Sequence, residues 1–378
     1  MNIELSSKII NDDYTEYVYR TFDIQNREET KVSIPYNLDE ISNFDWNIGV
    51  ILGSSGSGKT TILKNIGEIK SVNFSEDKPL ISNFDWLSPE EASILLTSIG
   101  LSSVPTWLRP FHMLSNGEQY RAILAYLVAS AKDNEVILID EYTSVVDRDV
   151  AKAMSYALQK YIRKQNKRII LASCHYDILE WVMPDWTYSP QKGGALERCD
   201  YLRRGRPEIE LQISRTESET WNIFKKHHYL TELNNKSYAH YLFEWNNKPV
   251  AIVIISPLPS GTIKKAFRES RIVVLPDYQG LGIGYRVSEF VAKIYKNDGR
   301  RYYTKTVHPA LGEYRNNSDK WRGTPDNGKE RKRRKKESNY ESHWSHNSRP
   351  SYCHEYIGES IDGFENLILS IKEMRLSF

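Results

Sequence analysis

Cysteine is scarce in this chain. Its 378 residues include three, Cys174, Cys199 and Cys353. An odd, sparse count excludes a disulfide scaffold and points to a reducing compartment. Long apolar runs are missing too. The longest aliphatic stretch, Val250 to Ile255, falls far short of the roughly 20 residues that cross a bilayer. The opening residues, Met1 to Lys8, do not read as a secretory signal. The expectation is a cytoplasmic protein with no membrane part. Charge excess is also lacking. Fifty-one Lys and Arg against 49 Asp and Glu leave a net charge of +2, so affinity for nucleic acid would have to come from a local patch. The remaining composition, 40% hydrophobic and 26% charged, is that of an ordinary soluble protein. The length suggests two or three domains.

What is present is organised around one stretch. Gly53, Ser54, Ser55, Gly56, Ser57, Gly58, Lys59 and Thr60 fit the P-loop pattern G-x-x-x-x-G-K-[ST]. An apolar run, Ile48 to Leu52, precedes it, and Thr61 to Ile66 can begin the helix that must follow. Glycines let successive backbone N–H groups turn inward on phosphate oxygens, and the helix N-terminus adds its positive end. In that geometry the loop through Thr61 binds ATP, Lys59 reaches the β- and γ-phosphates, and the Thr60 hydroxyl ligates Mg2+. Upstream, Tyr14 to Phe22 and Thr30 to Tyr36 read as strands. Tyr19 or Phe22 is a candidate to stack on adenine, against the plainer reading of a half-buried strand aromatic. Downstream, Leu114-Ser115-Asn116-Gly117-Glu118-Gln119 opens a helix whose apolar face is Ile123, Leu124, Leu127, Val128 and Ala131. The run Val136 to Ile139 ends in Asp140 and Glu141, as a buried parallel strand meeting a nucleotide would. Asp140 would hold Mg2+ through water, and Glu141 would polarise the attacking water. Ser144 to Asp147 leads into another helix, and a strand over Arg168 to Ser173 delivers His175 to the same edge.

These residues, in this order, resemble the ATP-binding cassette (ABC) ATPases over residues 1 to about 190. The resemblance implies two cassettes that sandwich two ATPs head to tail. Ser115 and Gly117 would then act in trans on ATP held by Lys59 of the other subunit, His175 would be the switch histidine, and Asp147 would lie in the loop that communicates across the dimer. One cassette per chain implies a homodimer. Two departures stand out. Asn116 replaces the first signature glycine, and no glutamine lies between Thr60 and Glu118, so the Q-loop ligand is missing. Asn83 or Asp85 is the candidate substitute. With the short interval from Lys59 to Ser115, this argues for a non-transport cassette. The hexapeptide Ile41 to Trp46 recurs verbatim as Ile81 to Trp86. No longer repeat surrounds the copies, so they do not make a repeat architecture.

From Pro184 to Pro207 the pattern loosens into a connector. A second periodic region follows: a helix-like Trp221 to Tyr229, strands over Tyr238 to Glu244 and Pro249 to Ile255 joined by Asn246-Asn247-Lys248, and a strand from Arg271 to Leu275. It runs into Gln279, Gly280, Leu281, Gly282, Ile283 and Gly284, with a helix from about Tyr285 to Lys296. Strand, glycine turn and helix again make an anion site. The order of elements around this Q-x-x-G-x-G turn resembles the GNAT acyltransferases. That resemblance implies that residues 280 to 285 bind the pyrophosphate of acetyl-CoA or another acyl-CoA, with Gln279 setting the turn. Candidate acids and bases are His227 and His228 on the first helix, His308 after the strand Arg301 to Thr306, and Tyr314. His308 and Tyr314 rank first, because the resemblance places them where the family's strands splay around the thioester.

Lys329 to Lys336 carries seven bases in eight residues, as a solvated loop or a phosphate-binding arm. His343, His346, Cys353 and His354 follow at spacings that match no usual zinc pattern, and Phe364 to Met374 reads as a closing amphipathic helix. A looser, architectural resemblance over about residues 215 to 325 is to phage Mom-type DNA-modification proteins. The resulting expectation is an α/β chain: a P-loop ABC ATPase domain over 1–200, a GNAT-like mixed α/β domain over 201–325, and a basic arm and closing segment over 326–378. Its expected function is ATP-linked N-acyl transfer, with nucleic acid as acceptor and possible partner. The alternatives are acylation of protein or small-molecule amines under control of the ATPase, and a nucleic-acid-binding ATPase whose GNAT-like part only binds.

Overall fold

The computed structural model of the protein describes residues 2–199, 209–228, 237–261, 263–329, 351–361 and 374–377. Tyr229, residues 330–336 of the basic stretch, His343, His346 and residues 364–373 lie outside the described residues. The helices are α1 (Asp13–Phe22), α2 (Lys59–Ile66), α3 (Pro89–Ser98), α4 (Val104–Trp107), α5 (Asn116–Ser130), α6 (Arg148–Lys164), α7 (Ile178–Val182), α8 (Trp221–Phe224), α9 (Ile283–Asn297) and α10 (Pro309–Asn316). The chain packs into two compact units, neither continuous in sequence. One gathers Met1–Val72, Leu127–Ala151 and Gln159–Arg204, and the other Asn73–Tyr126, Lys152–Leu158 and Gly205–Phe378. This division differs from linear boundaries at 200 and 325, because the segment 73–126 finds its packing partners in the second unit.

In the first unit, β1 (Asn2–Lys8) and β2 (Glu29–Pro35) form an antiparallel ribbon. The main sheet is built from β3 (Ile48–Leu52), β4 (Val136–Ile139), β5 (Arg168–Ser173), β6 (Trp186–Ser189) and β7 (Ala195–Arg198), in the order β4-β5-β3-β6-β7. β4, β5, β3 and β6 run parallel and β7 antiparallel. All five residues of β3 are buried, as an apolar run covered on both faces must be. Parallel strands deliver their C-terminal residues to one edge, which collects the P-loop, Asp140 and His175. The core beneath includes Trp46, Ile51, Ile62, Leu63, Ile170 and Trp186. Gly49 is required there: a Cβ on it would sit 2.0 Å from the Trp186 ring.

Two sequence expectations fail here. Tyr14 to Phe22 is helix, not strand, because Asp12 accepts from the Tyr14 and Thr15 N–H groups and Thr15 answers the Asp12 N–H, a capping box. None of its residues is buried. The supposed connector after Pro184 holds β6, whose four residues are all buried beside β3. The two hexapeptide copies share a local shape, a 3-10 turn over Asp39–Asn43 and over Leu80–Asn83. Their tryptophans part ways: Trp46 is 6% exposed and Trp86 44%.

The second unit holds β8 (Glu210–Thr216), β9 (Ala239–Trp245), β10 (Lys248–Pro257), β11 (Ala266–Val274), β12 (Arg301–Thr306), β13 (Trp321–Gly323), β14 (Tyr352–Tyr356) and β15 (Met374–Ser377). They make one sheet in the order β13-β14-β12-β11-β10-β9-β8-β15. Asn246 and Asn247 both have positive φ, 50° and 60°, the requirement of a tight primed turn between β9 and β10. Leu242, Ile252 and Ile254 share one sheet face with Trp221 and Phe224 of α8, while Tyr241, one residue out of phase, meets Tyr295 of α9 edge-on at 6.3 Å. Met374, expected at the end of a helix, opens a strand that pairs with β8. In the 73–126 segment, α3 begins with a Ser88–Glu91 capping box. Phe74 stacks on Phe111 at 4.4 Å, and Phe84, Trp86 and Tyr126 complete an aromatic cluster.

The one parallel pairing among the described residues of this sheet fixes the site. Ala266 to Glu269 pairs with Arg301 to Thr304, and the pairing stops there. An extra residue, Ser270, bulges β11 against β10, where Ile254 faces Arg271 and Ile255 faces Glu269. A bulge bends its strand, so β11 and β12 part beyond Glu269 and open a cleft.

Candidate active sites

In the first unit, Gly56 and Gly58 take φ of 79° and 90°, the left-handed conformations a phosphate cradle needs. Lys59 Nζ donates to the carbonyls of Gly53 and Ser54 at 2.8 Å each. The Thr60 hydroxyl donates to Asp140 Oδ2 at 2.7 Å. These oxygens, one from each of the two positions expected to ligate Mg2+, therefore share one point in space. The Ser57 hydroxyl is buried with no hydrogen-bond partner, an open polar atom inside the cradle that suits a phosphate oxygen. Glu141 is exposed and has φ of 49°, a conformation that costs a non-glycine residue about 1–3 kcal/mol. One side-chain and one backbone acceptor hold it there: Glu141 N–H donates to Asp140 Oδ1, and Tyr142 N–H to the Ala172 carbonyl. Ser173 Oγ ties this turn to His175, donating to the Tyr142 carbonyl and accepting from the His175 N–H at 3.1 Å. Asp147 caps α6 through the Asp149 N–H.

Sequence reasoning overlooked Gln191. Its Oε1 accepts from the Ser54 N–H at 3.1 Å and its Nε2 donates to Ser54 Oγ at 2.6 Å. Its sequence signal is only a glutamine past β6, far from the interval between Thr60 and Glu118. Asn83 is committed locally, accepting from Ser75 N–H and donating to the Pro79 and Leu80 carbonyls.

Ser115 and Gly117 belong to the second unit. Ser115 donates its N–H and its hydroxyl to Glu118 Oε2 at 3.0 Å each, and Thr106 Oγ1 donates to Oε1 at 2.9 Å. Burial works against ionisation of Glu118, but these donors and the neighbouring Arg121 outweigh it and hold its carboxyl below the usual range.

The cleft between β11 and β12 in the second unit opens a cavity of about 200 Å³. Its walls include Gly280, Gly282, Ile283, Gly284 and Tyr285 on one side and Thr306 and His308 on another. Gly280 and Gly282 take φ of 89° and 77°. Gly282 caps α9 with no side chain, so the first-turn N–H groups remain for an anion. Gln279 bridges two segments: its Nε2 donates to the Val274 carbonyl at 2.9 Å, and its Oε1 accepts from the Ser102 N–H at 2.6 Å. Leu281 is buried beneath. A glycine-walled, donor-lined cavity of this kind fits the pyrophosphate of an acyl-CoA.

Three imidazoles face the cavity. His308 N–H bonds back to Thr306 Oγ1, and its Nδ1 is buried with no hydrogen-bond partner. Burial lowers its pKa, offset in part by the Ser102 backbone. Burial also lowers His227 and His228 to about 4, aided by Lys226 and by Arg271 respectively. All three are therefore neutral bases at pH 7. Tyr314 lies elsewhere than expected. Its hydroxyl donates to Glu289 Oε1 at 2.6 Å, its ring stacks on Tyr285 at 4.4 Å, and it is not part of the cavity wall. Unforeseen from sequence is Glu269, which lines the cleft and is held from behind by Arg315 at 2.9 Å, Ser288 at 2.6 Å and Tyr302 at 3.0 Å. A single buried glutamate in a strand gives no periodic signal.

His354, on β14, is lowered to about 4 as well, by burial and Arg315. Folded-state values below the unfolded 6.5 mean that the unfolded chain takes up protons first as the pH falls. The stability is fully present above about 6.5 and is lost towards 4. For the buried His228 and His354 we expect losses of about 1–2 kcal/mol each by pH 5, seen as lower urea midpoints than at pH 7.5. An unchanged midpoint would refute the burial assignment.

Among the described residues, no three His, Cys, Asp or Glu side chains gather as a metal site, and no helix is long and apolar enough to cross a membrane. No curated protein matches the chain. Among solved structures, it is similar to MJ0796, a bacterial ABC transporter cassette in dimeric form, at 16% identity over 41% of this chain and 85% of that one, with TM-score 0.33. The same cassette in a post-hydrolysis state with ADP and Pi gives 16% identity, 47% and 94% coverage and TM-score 0.36. The cbiO1 protein from Clostridium perfringens, part of the ABC transporter complex cbiONQ, gives 18% identity, 40% and 77% coverage and TM-score 0.33. Residues 175–316, which include His227, His228, the glycine turn and His308, match the acetyltransferase (GNAT) family model, so the chain carries a GNAT acetyltransferase domain.

Proposed function

We propose that the chain is an ATP-hydrolysing, ABC-type cassette joined to an N-acyltransferase that uses an acyl-CoA and acts on an amine of nucleic acid. The observation that carries the reading is the cleft itself: one cavity joins the open N–H groups at the start of α9 to the unpartnered Nδ1 of His308. The thioester supplies an activated acyl group when bound. The chain's own part is to anchor the pyrophosphate on residues 280–285 and to take up the proton the amine loses, at His308 Nδ1.

The weak basicity of the imidazoles supports the choice of acceptor. A lysine-type amine, with a pKa near 10.4, arrives protonated and is poorly matched to an imidazole whose basicity burial has lowered. The exocyclic amine of a nucleobase arrives neutral and asks only for a proton acceptor as it reacts. The seven bases of 329–336 supply an electrostatic anchor for phosphates. In the nucleotide site, Lys59, Thr60 and Asp140 hold the triphosphate and its Mg2+, and a homodimer brings Ser115 and Gly117 to the partner's ATP.

The test is nucleoside mass spectrometry of cells expressing the wild type or Gly282→Trp. A side chain at φ of 77° is strained, and an indole there fills the anion cradle. A modified nucleoside present only with wild type is the expected result. No nucleoside change, with acyl-CoA still bound by the purified protein, would move the acceptor to protein or small-molecule amines.

A further inference from the structure

The signature segment and the acyl-CoA turn meet inside the second unit. Arg121 lies on α5, one helical turn beyond Glu118, and is 0% exposed. Its Nη1 donates to the Pro276 carbonyl at 2.8 Å, and its Nη2 stands 3.6 Å from Asp277 Oδ1. Pro276 opens the short 3-10 turn that runs into Gln279. A second tie lies close by, from the Ser102 N–H to Gln279 Oε1 at 2.6 Å. Between the two ties the backbones touch glycine to glycine. A Cβ on Gly100 would come within 3.1 Å of the Gln279 carbonyl oxygen, and one on Gly280 within 3.3 Å of the Gly100 Cα. On the other side, Thr106 and Ser115 both grip Glu118, which shares its charge with Arg121.

A wholly buried guanidinium is expensive to keep, and a hydrophobic side chain of similar volume fills such a place at no electrostatic penalty. Nη2 is engaged by the Asp277 carboxylate, and Nε is buried without a hydrogen-bond partner. Arg121 is thus a charged link set between a carboxylate that belongs to the signature and a carbonyl that belongs to the turn.

We propose that Arg121 and Ser102 are positioning residues through which the signature, Ser115 to Glu118, sets the geometry of the acyl-CoA turn, so that nucleotide engaged by the signature changes the affinity for acyl-CoA. This rests on the reading of both sites given above. Linkage is reciprocal: acyl-CoA then changes nucleotide affinity by the same factor.

The experiment measures the Kd of acetyl-CoA for the full chain, with and without Mg2+ and AMP-PNP, in wild type, Arg121→Ala and Glu118→Gln. We expect a nucleotide-dependent change of about 5-fold or more in wild type, its loss in Arg121→Ala with acetyl-CoA still bound, and a reduced change in Glu118→Gln. Glu118→Gln is isosteric and carries the test if Arg121→Ala does not fold. Equal Kd values with and without nucleotide in a wild type that binds both ligands would overturn the coupling and leave the two activities standing. A full nucleotide effect in both variants would overturn the role of Arg121. Failure of acetyl-CoA to bind the wild type at all would overturn the acyltransferase reading, and this proposal with it.

Discussion

Glu141→Gln will lower ATP turnover by roughly 10²–10⁴-fold, the usual contribution of a positioned general base, while ATP binding survives. The carboxylate is exposed at the end of β4, beyond Asp140, which already meets the Thr60 hydroxyl. Glu141 is held at a positive φ by its own and Tyr142's N–H bonds, a local strain worth keeping only if the direction of the side chain matters. Glutamine preserves the shape and removes the proton acceptor. On the proposed ATP sandwich, which hydrolysis would open, the variant should accumulate as an ATP-bound dimer in size-exclusion chromatography with light scattering. A monomer hydrolysing ATP at the wild-type rate would refute both the role of Glu141 and the sandwich.

The second large effect belongs to His308. Its alanine variant should lose about 10²–10⁴-fold in kcat for acyl transfer, with the affinity for acetyl-CoA nearly unchanged, since the anion cradle lies on the α9 turn. Thiol release from acetyl-CoA, with the acceptor identified by nucleoside analysis, measures both quantities. His227→Ala and His228→Ala should cost less, because His228 sits edge-on to Trp221 at 5.6 Å and both lie at the short turn after α8. Burial lowers the pKa of His308, so the acid-side loss of the wild-type rate should set in below pH 6.5, where an ordinary imidazole would become protonated. A rate that halves near pH 6.5, or an alanine variant with full activity, would remove His308 from the chemistry.

The elements with a strong local signature were legible in the sequence. The P-loop, the apolar strands ending at Ile139 and Ser173, the Asn246-Asn247 turn and the glycine turn all stand where the pattern places them, because each is dictated by its own few residues. What escaped was set by tertiary surroundings. Trp186 to Ser189 alternates polar and apolar side chains and is nonetheless buried throughout, since a central neighbour and β7 flank it. Asp12 and Thr15 decide α1 through two hydrogen bonds, outweighing the aromatic content that reads as strand. The family resemblance puts Tyr314 at the thioester, whereas its hydroxyl donates to Glu289. Gln191, Glu269 and Arg121 gave no motif at all. Each acts through a partner distant in sequence.

The discontinuity of the second unit bears on how such a chain can be divided. A gene fragment ending at residue 200 would keep the aromatic cluster of 73–126 but leave the Arg121 guanidinium with no Pro276 carbonyl to meet. A fragment beginning at residue 209 would bare Gln279 and Gly280 where Ser102 and Gly100 now cover them. Neither half is a self-sufficient module, so shuffling at the apparent boundary would separate residues that stabilise one another. Any recombination that preserved the transferase would have to carry residues 73–126 along with it.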